Sequence, residues 1–353
     1  MKSSILSMVE SKFIDLTLLN NQKVNIPYLT VGNFPDLGLL TSLRFLEWVS
    51  ENPDGVVSLP TGKTPEYFIK WTHFILNNWN KPELENLRKE NGLLIDKKPT
   101  LSQLRFVQID EFYPLDSNQH NSFFYYVNKY YLKGFGLSLD KALLIDSNKI
   151  DLGNHSNWKT VFPAMKVDLT LRYRKSKTEQ ESIQQEAIYR IDQWCADYEE
   201  KIRNMGGIGF FLGGIGPDGH IAFNIRGSNH NSTTRLLETN FETQAAAATD
   251  LGGIEISRNR LVITIGLGTI SYNPDAVAII LAAGEAKARI VKQSLEKNED
   301  VKYPATVLTR LKNSRFYLTT GASKKLKDTY NRYWTSTDWN IKKEQKALLN
   351  LSK

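Results

Sequence analysis

Apolar residues along the chain form two kinds of segment, one with helical spacing and one made of short continuous runs. Helical spacing extends from Leu39 to Trp48, follows the turn at 59–65, and returns through 188–206. The short runs are bounded by glycine and polar residues, which is typical of buried strands. The predicted strands are GVVSLP (55–60), LRFVQID (104–110), IGFFLGGIG (208–216), the strand in NRLVITIGLGTI (259–270), the start of 275–295, and RFYLTTGAS (315–323).

Strands that alternate with helices predict βαβ units and therefore an α/β fold with a largely parallel sheet. Loops that carry Gly, Thr and Asp follow several of these strands, at the edge where open α/β sheets bind ligands. We expect residues 31–323 to form one α/β domain, with an N-terminal extension at 1–30 and a basic C-terminal segment at 324–353. Residues 151–186 are polar with little periodicity, and we predict that they form an insertion.

The net charge of the 353-residue chain is +7, which raises the question of an acidic partner. Between Gly321 and Lys353, eight Lys or Arg and three Asp or Glu give a local net charge of +5, so most of the excess lies there. The sequence contains no helix-turn-helix, zinc-finger spacing or aromatic RNA-binding signature. We therefore expect a solvated basic tail, with a site for acidic partners as the alternative, and we do not expect a nucleic-acid partner.

The sequence gives no sign of a membrane or secreted protein. No apolar run approaches the roughly 20 residues of a membrane-spanning helix, and we identify no signal peptide in the first residues. The single cysteine, Cys195, excludes an internal disulfide and a multi-cysteine zinc site. The expected location is the cytoplasm, without a membrane partner.

The first candidate site is the string LPTGKTP (59–65), which follows a predicted strand. Its GKT portion occurs in nucleotide-binding P-loops, but that motif requires a glycine where this chain has Val57. What remains is a tight glycine turn, two threonine hydroxyls and a helix beginning near Pro65. Backbone N–H groups at a helix start can bind phosphate. The segment therefore predicts either a phosphate cradle or a plain strand-to-helix turn.

Two further candidate sites carry groups that can move protons. Asp110 and Glu111 directly follow a predicted buried strand, where a partly desolvated carboxylate can act as a general base; alternatively, they only begin a loop. In GGIGPDGHIAFN (213–224), glycines allow close approach of the backbone to a ligand. Asp218 and His220 flank a glycine in this string, and a histidine beside a carboxylate can shuttle protons, although a lone histidine is more often structural.

These strings, in this order, resemble the glucosamine-6-phosphate deaminase family and, more widely, the superfamily of sugar-phosphate isomerases and 6-phosphogluconolactonases. The resemblance extends over roughly residues 39–323, and GPDGH also occurs in the lactonases, whereas DEF and HIAFN favour the deaminases. The matching strings are LPTGKTP (59–65) as the phosphate loop, IDEFYPL (109–115) with HNSF (120–123), YEEKI (198–202) with FLGGIGPDGHIAFN (211–224) as the active-site loop, and GLGTI (266–270) and GEAKA (284–288) as later phosphate-contacting turns.

The resemblance implies a Rossmann-like, doubly wound, largely parallel sheet flanked by helices. It also implies isomerisation of an amino-sugar phosphate with loss of ammonia, which converts glucosamine 6-phosphate to fructose 6-phosphate. The expected ligand is a small sugar phosphate, and no organic cofactor or metal is expected. A homo-oligomer is expected because the family often assembles into oligomers.

The resemblance also assigns residue roles by position. Asp110 matches the general base that moves a proton between C2 and C1 of the sugar. His220 matches the histidine that opens the pyranose ring, and Asp218 matches its carboxylate partner. Lys287 matches a phosphate-binding lysine. The other matched binding residues are Thr61, Gly62, Lys63 and Thr64 in the phosphate loop, and Gly214 and Gly216 in the glycine-rich loop; Lys63 stands where the family commonly has a small residue.

Three positions depart from the family pattern. The glutamate that completes the acid–histidine relay is replaced by Ile225, and the place of the lid arginine that clamps the phosphate falls in the alanine run 245–248. Thr234 falls near the place of a lysine that binds the allosteric activator of the family. Candidate replacements for the clamp are Arg235, Arg258 and Arg260.

These departures leave three functions open. The first is the deaminase. The second is another enzyme of the superfamily, such as a 6-phosphogluconolactonase-like hydrolase or another phosphosugar isomerase, since a histidine can activate water for ester hydrolysis without the glutamate. The third is a catalytically degenerate protein that binds a sugar phosphate without turnover, because groups lost from a relay or a clamp act mainly in the transition state.

Overall fold

The structure, a computed structural model, describes residues 6–14, 23–154, 157–251, 253, 257 and 259–326. A seven-stranded sheet, in which every pair of neighbours is parallel, forms the centre, in the order β1-β10-β9-β6-β2-β3-β5. The predicted α/β fold with a largely parallel sheet is therefore confirmed. Its strands are β1 (Tyr28–Val31), β2 (Val56–Ser58), β3 (Arg105–Val107), β5 (Ala142–Leu143), β6 (Phe210–Gly214), β9 (Val277–Ala282) and β10 (Asn313–Thr319).

A second, smaller sheet lies beside the first. Its three strands are antiparallel in the order β4-β8-β7. They are β4 (Asp110–Tyr113), β7 (Arg235–Leu237) and β8 (Leu261–Thr264). Because β4 begins three residues after the end of β3, one short stretch of chain connects the two sheets.

Helices pack against both faces of the larger sheet. They are α1 (Met8–Phe13), α2 (Phe34–Glu51), α3 (Glu66–Asn77), α4 (Pro82–Glu90), α5 (Phe123–Val127), α6 (Trp158–Val161), α7 (Glu179–Asn204), α8 (Phe241–Leu251), α9 (Leu267–Ile270), α10 (Ala288–Glu296) and α11 (Thr320–Ser323). A π-helical turn (Asn128–Lys133) continues α5, and 3₁₀ turns occupy Leu139–Lys141, Leu169–Arg172, Glu285–Lys287 and Pro304–Arg310. Searched over the described ranges, no helix is both long and apolar enough to cross a membrane.

Two hydrophobic cores, one on each face of the larger sheet, explain why its strands are apolar throughout. Phe210 and Leu212 of β6 point into the core formed with α2 and α3, whereas Phe211 points into the core formed with α7 and α10. Successive side chains of a strand alternate between faces, so a strand covered on both sides needs a continuous apolar run. The sequence has such continuous apolar runs at β6 and β9.

The segment LRFVQID does not form the single strand that the sequence predicts. β3 ends at Val107 and β4 begins at Asp110, so Asp110 and Glu111 belong to a strand of the second sheet and not to a polar turn. The buried side chain of Gln108 stabilises the break. Its Nε2 donates to the Asp110 carbonyl (2.9 Å), and its Oε1 accepts from the N–H of Ile145 (2.9 Å).

The segments predicted as an extension and an insertion contribute to the domain. β1 pairs in parallel with β10, so the last residues of the 1–30 segment join the sheet. Within 151–186, Trp158 and Phe162 are buried in the same core as α7, and α7 itself begins at Glu179 after the N-cap Thr178. Of the basic C-terminal segment, all but residues 324–326 lies outside the described residues.

Phe210 offers a test of the central packing. Its ring is fully buried and lies 5.4 Å, centroid to centroid, from both Phe45 and Trp48 of α2. We expect Phe210→Ala to lower the free energy of unfolding by about 3–5 kcal/mol, because it removes a buried ring and leaves a cavity. Urea unfolding measures this, with Tyr189→Ala, at a side chain that is 70% exposed, as the control. An equal loss in both variants would contradict the assigned core.

Candidate active site

A cavity of about 290 Å³ opens at the carboxyl ends of β2 and β6. Open α/β sheets bind ligands at this edge, where loops after parallel strands meet. Seven of the ten predicted site residues line it: Thr61, Thr64, Asp110, Gly214, Gly216, His220 and Lys287. Its other lining residues are Pro60, Ile109, Phe112, Phe123, Gly213, Ile215, Pro217, Ala222, Phe223 and Thr243. Three predicted residues do not line the cavity. Asp218 forms a hydrogen bond with His220, whereas Gly62 and Lys63 are exposed.

Two tyrosines hold the loop that was predicted to bind phosphate. The hydroxyl of Tyr131 donates to the carbonyl of Pro60 (2.5 Å), and that of Tyr126 donates to the carbonyl of Gly62 (3.0 Å). Gly62 has φ +79°, a left-handed conformation that favours glycine. Two carbonyls of the loop are therefore hydrogen-bonded to α5 and to the π-helical turn that continues it. These tyrosines were not predicted, because nothing local to them in the sequence indicates contact with a loop 64 to 71 residues earlier.

Asp110 and Glu111 are neighbours in β4 but meet different surroundings, because adjacent strand residues point to opposite faces. Asp110 lines the cavity, and among the described residues none donates a hydrogen bond to its carboxyl group. Burial, and secondarily the charge of Glu111, raise the pKa of Asp110 well above its ordinary value. A buried carboxyl group that faces a cavity can act as a general base toward a ligand bound there.

Glu111 instead anchors the start of α5. Its two carboxylate oxygens accept four hydrogen bonds, from the N–H groups of Phe112 (2.9 Å), Phe123 (3.2 Å) and Phe124 (2.7 Å) and from the Ser122 hydroxyl (2.7 Å). Burial raises the pKa of Glu111 to about 7, although these hydrogen bonds oppose the shift. Of the acidic pair, only Asp110 faces the cavity.

Asp218 and His220 form a hydrogen-bonded dyad in the loop after β6. Nδ1 of His220 lies 2.5 Å from Oδ1 of Asp218. Burial alone raises the pKa of Asp218, but its hydrogen bonds with His220 and Asn240 outweigh burial and hold it below the ordinary range. A Cβ atom at Gly216 would lie 2.0 Å from the imidazole ring, so a glycine is required where the loop passes His220. The ring also stacks on Phe223, with 6.0 Å between centroids.

Lys287 brings a positive charge to the same cavity. Its Nζ donates to the carbonyl of Ile215 (2.8 Å), which places the ammonium beside the glycine-rich loop. Burial lowers the pKa of Lys287, and the nearby charge of Asp218 opposes that shift. The ammonium and the loop N–H groups can therefore attract an anion, although within the described residues no arginine lines the cavity.

Ile225 and two of the candidate replacement arginines lie outside the cavity lining. Ile225 is half-buried and outside the lining, and Arg235 binds the carbonyl of Thr233 and the hydroxyl of Ser228. Arg260 is buried and donates to the carbonyl of Met165. Arg258 lies outside the described residues. Over the described part of the chain, no group of three or more His, Cys, Asp or Glu side chains is arranged to hold a metal ion.

Comparison with known sequences finds relatives with closely related names. The chain is 40% identical to the glucosamine-6-phosphate isomerase of Candida albicans over 118 residues, which are 33% of this chain and 48% of that protein. It is 26% identical to the glucosamine-6-phosphate deaminase of Bacillus velezensis over 280 residues, 79% of this chain and 91% of that protein. The chain thus spans about half the length of the first relative and nine-tenths of the second. No protein-family model matches it.

Two solved structures share the fold. A glucosamine-6-phosphate deaminase described as monomeric superposes with a TM-score of 0.62 at 20% identity, covering 84% of this chain and 98% of that one. The 6-phosphogluconolactonase of Leishmania guyanensis superposes with a TM-score of 0.53 at 16% identity, covering 84% and 97%. At these identities the superpositions establish the fold.

The fold and the cavity at its strand ends define an α/β protein with a candidate ligand site at the carboxyl edge of its parallel sheet. The curated relatives confirm the resemblance of this chain to the glucosamine-6-phosphate deaminase family.

The raised pKa of Asp110 predicts a gain in stability at pH 7 when its ionisable group is replaced. The folded-state pKa of Asp110 is raised, so the folded protein binds this proton more tightly than the unfolded chain does. Stability from this group is therefore fully present below the unfolded pKa, near 3.8, and is lost as pH rises through the raised folded pKa. We expect Asp110→Asn to raise Tm at pH 7 and to leave it nearly unchanged near pH 4.

Thermal unfolding of the two proteins between pH 4 and pH 8 measures this difference. Asp116→Asn is the control, because Asp116 is close to the surface and its pKa is lowered, mainly by a hydrogen bond from Asn148. That variant should show no stabilisation at pH 7. A lower Tm for Asp110→Asn than for the wild type at pH 7 would contradict the assigned environment of Asp110.

Proposed function

We propose that the protein is a glucosamine-6-phosphate deaminase, an enzyme that converts glucosamine 6-phosphate and water to fructose 6-phosphate and ammonia. The observation that carries this proposal is the grouping of three side chains around one cavity: a buried carboxyl that accepts no hydrogen bond from the described residues (Asp110), a carboxylate-bound histidine (His220) and a lysine (Lys287). The names of the sequence relatives support the same reaction.

In the proposed mechanism, His220 opens the pyranose ring by moving the proton of the C1 hydroxyl to the ring oxygen. Its hydrogen bond to Asp218 supports this role, because a carboxylate at Nδ1 favours the tautomer with Nε2 free to accept a proton. The carboxylate also stabilises the imidazolium that forms when Nε2 takes the proton.

Asp110 then acts as the base. It removes the proton from C2 of the open-chain amino aldehyde and returns it to C1. Because O1 gains a proton as the nitrogen loses one, this converts the aldose into a ketose imine. Water adds to the imine carbon, and ammonia leaves as the C2 carbonyl forms. The position of Asp110 suits both halves of this transfer, because its carboxyl group faces the cavity and accepts no hydrogen bond from the described residues.

The phosphate group is the proposed ligand of Lys287 and of the loop at 61–64. Backbone N–H groups before α3, the hydroxyls of Thr61 and Thr64, and one ammonium would share its charge. Without an arginine clamp from the described residues, Lys287 is the main source of positive charge in the cavity lining.

Ammonia release from purified protein with glucosamine 6-phosphate tests the proposed function. We expect release that falls by about 10²–10⁴-fold in Asp110→Asn, the range that a general base contributes, and a comparable loss in His220→Ala. Circular dichroism checks that each variant is folded. Full activity in Asp110→Asn would show that the assigned base is wrong, and a folded wild type that releases no ammonia would exclude the deaminase.

A pair of lysine variants tests the phosphate site. Lys287→Ala should raise KM for glucosamine 6-phosphate by about 10-fold or more, because it removes a charged hydrogen-bond donor from a partly buried anion site. Lys297→Ala is the matched control, since this lysine is exposed, outside the cavity lining and outside the loop at 61–64; we expect a change in KM of about twofold or less. Equal increases in both variants would contradict the assignment of Lys287 as the principal cation.

A further inference from the structure

The carboxylate of Asp218 is held from two sides. One oxygen, Oδ1, pairs with Nδ1 of His220 at 2.5 Å, and the other, Oδ2, accepts a hydrogen bond from Nδ2 of Asn240 at 2.6 Å. Asp218 is buried. The second contact therefore determines which way Asp218 presents its first oxygen to the histidine.

Asn240 is itself fixed in orientation. It precedes α8, and its Oδ1 accepts a hydrogen bond from the N–H of Thr243 at 2.9 Å, the bond of a helix N-cap. Because Oδ1 must accept from this N–H, the amide group can only turn its NH₂ toward Asp218. Thr243 also lines the cavity, with its hydroxyl 3.5 Å from Nδ1 of His220. The start of α8 thus connects directly to the dyad.

We propose that Asn240 is a positioning residue that fixes the protonation site of His220 through Asp218. This inference rests on the proposed function for its catalytic meaning. With Asp218 held by Asn240, the proton of the neutral imidazole stays on Nδ1, and Nε2 remains the acceptor. Ile225, after the loop, has no hydrogen-bonding side chain and therefore cannot take this role.

The charged groups around the dyad are few. Lys287 approaches Asp218 from the turn before α10, and Asp110 lines the same cavity from β4. Neither side chain forms a hydrogen bond with the Asp218 carboxylate. Within the described residues, the side chains that bond to this carboxylate are therefore those of His220 and Asn240.

Two variants separate the contact with Asp218 from the helix cap. Asn240→Ser keeps a good N-cap residue but is too short to donate to Asp218, whereas Asn240→Ala loses both functions. Asn229→Ser is the control, because Asn229 is an exposed asparagine in a turn outside the cavity. If Asn240 is only a cap, Asn240→Ser will behave as the wild type. If Asn240 positions the dyad, both Asn240 variants will be impaired.

The first readout is ¹⁵N NMR of the histidine rings in the ligand-free protein. The chain has five histidines, and His220 is assigned by the signals lost in His220→Ala. We expect the wild type and Asn229→Ser to show Nδ1 protonated and Nε2 unprotonated, and both Asn240 variants to show protonation shared between the two nitrogens. Wild-type ring shifts in Asn240→Ser would overturn the proposal.

The second readout is the split between kcat and KM with glucosamine 6-phosphate. We expect kcat to fall by on the order of 10-fold in Asn240→Ser, as for loss of a hydrogen bond to a charged group, with KM within about twofold of wild type. A drop in kcat with unchanged ring shifts would also overturn the proposal, because the effect would not pass through His220. If the wild type releases no ammonia, the proposed function fails, and the ring shifts still decide the role of Asn240.

Discussion

The side chain of Gln108 determines where the two sheets separate, and the site depends on that point. Both ends of its buried amide are used, one on the carbonyl of Asp110 and the other on the N–H of Ile145. Its own carbonyl accepts the Tyr198 hydroxyl from α7 at 2.9 Å. A strand can leave a sheet inside a protein only if its backbone groups find other partners. Gln108 supplies them, so the chain passes from β3 to β4 at the wall of the cavity.

That change of sheet gives two adjacent carboxyl groups opposite properties. Glu111 turns toward four donors at the start of α5, whereas Asp110 faces the cavity, where no described residue donates to it. The difference follows from the alternation of side chains along a strand and not from the residue types, which are nearly equivalent. Burying a carboxyl group without a hydrogen-bond partner costs free energy. Because Asp110 faces the cavity, a bound substrate can supply the missing hydrogen bond.

The sequence predicted much of the fold, because continuous apolar runs and glycine-bounded helices are local patterns. It also predicted that Asp218 and His220 lie close together, since both belong to one glycine-rich loop. It was wrong at LRFVQID, where the break depends on the contact of Gln108 with Ile145, a residue 37 positions away. Asn240 and Tyr131 were missed for the same reason: their side chains act on distant segments, and nothing in their own neighbourhoods records it.

The loop that carries the dyad is closed by its own short-range bonds. The N–H of Gly216 donates to the carbonyl of His220, and the N–H of Gly219 donates to the carbonyl of Gly216. Asp218 and His220 therefore keep their relation within a single turn of chain, with little dependence on how distant strands are paired. The turn alone keeps the two residues within reach of each other, whereas the orientation of the Asp218 carboxylate also depends on Asn240, outside the loop.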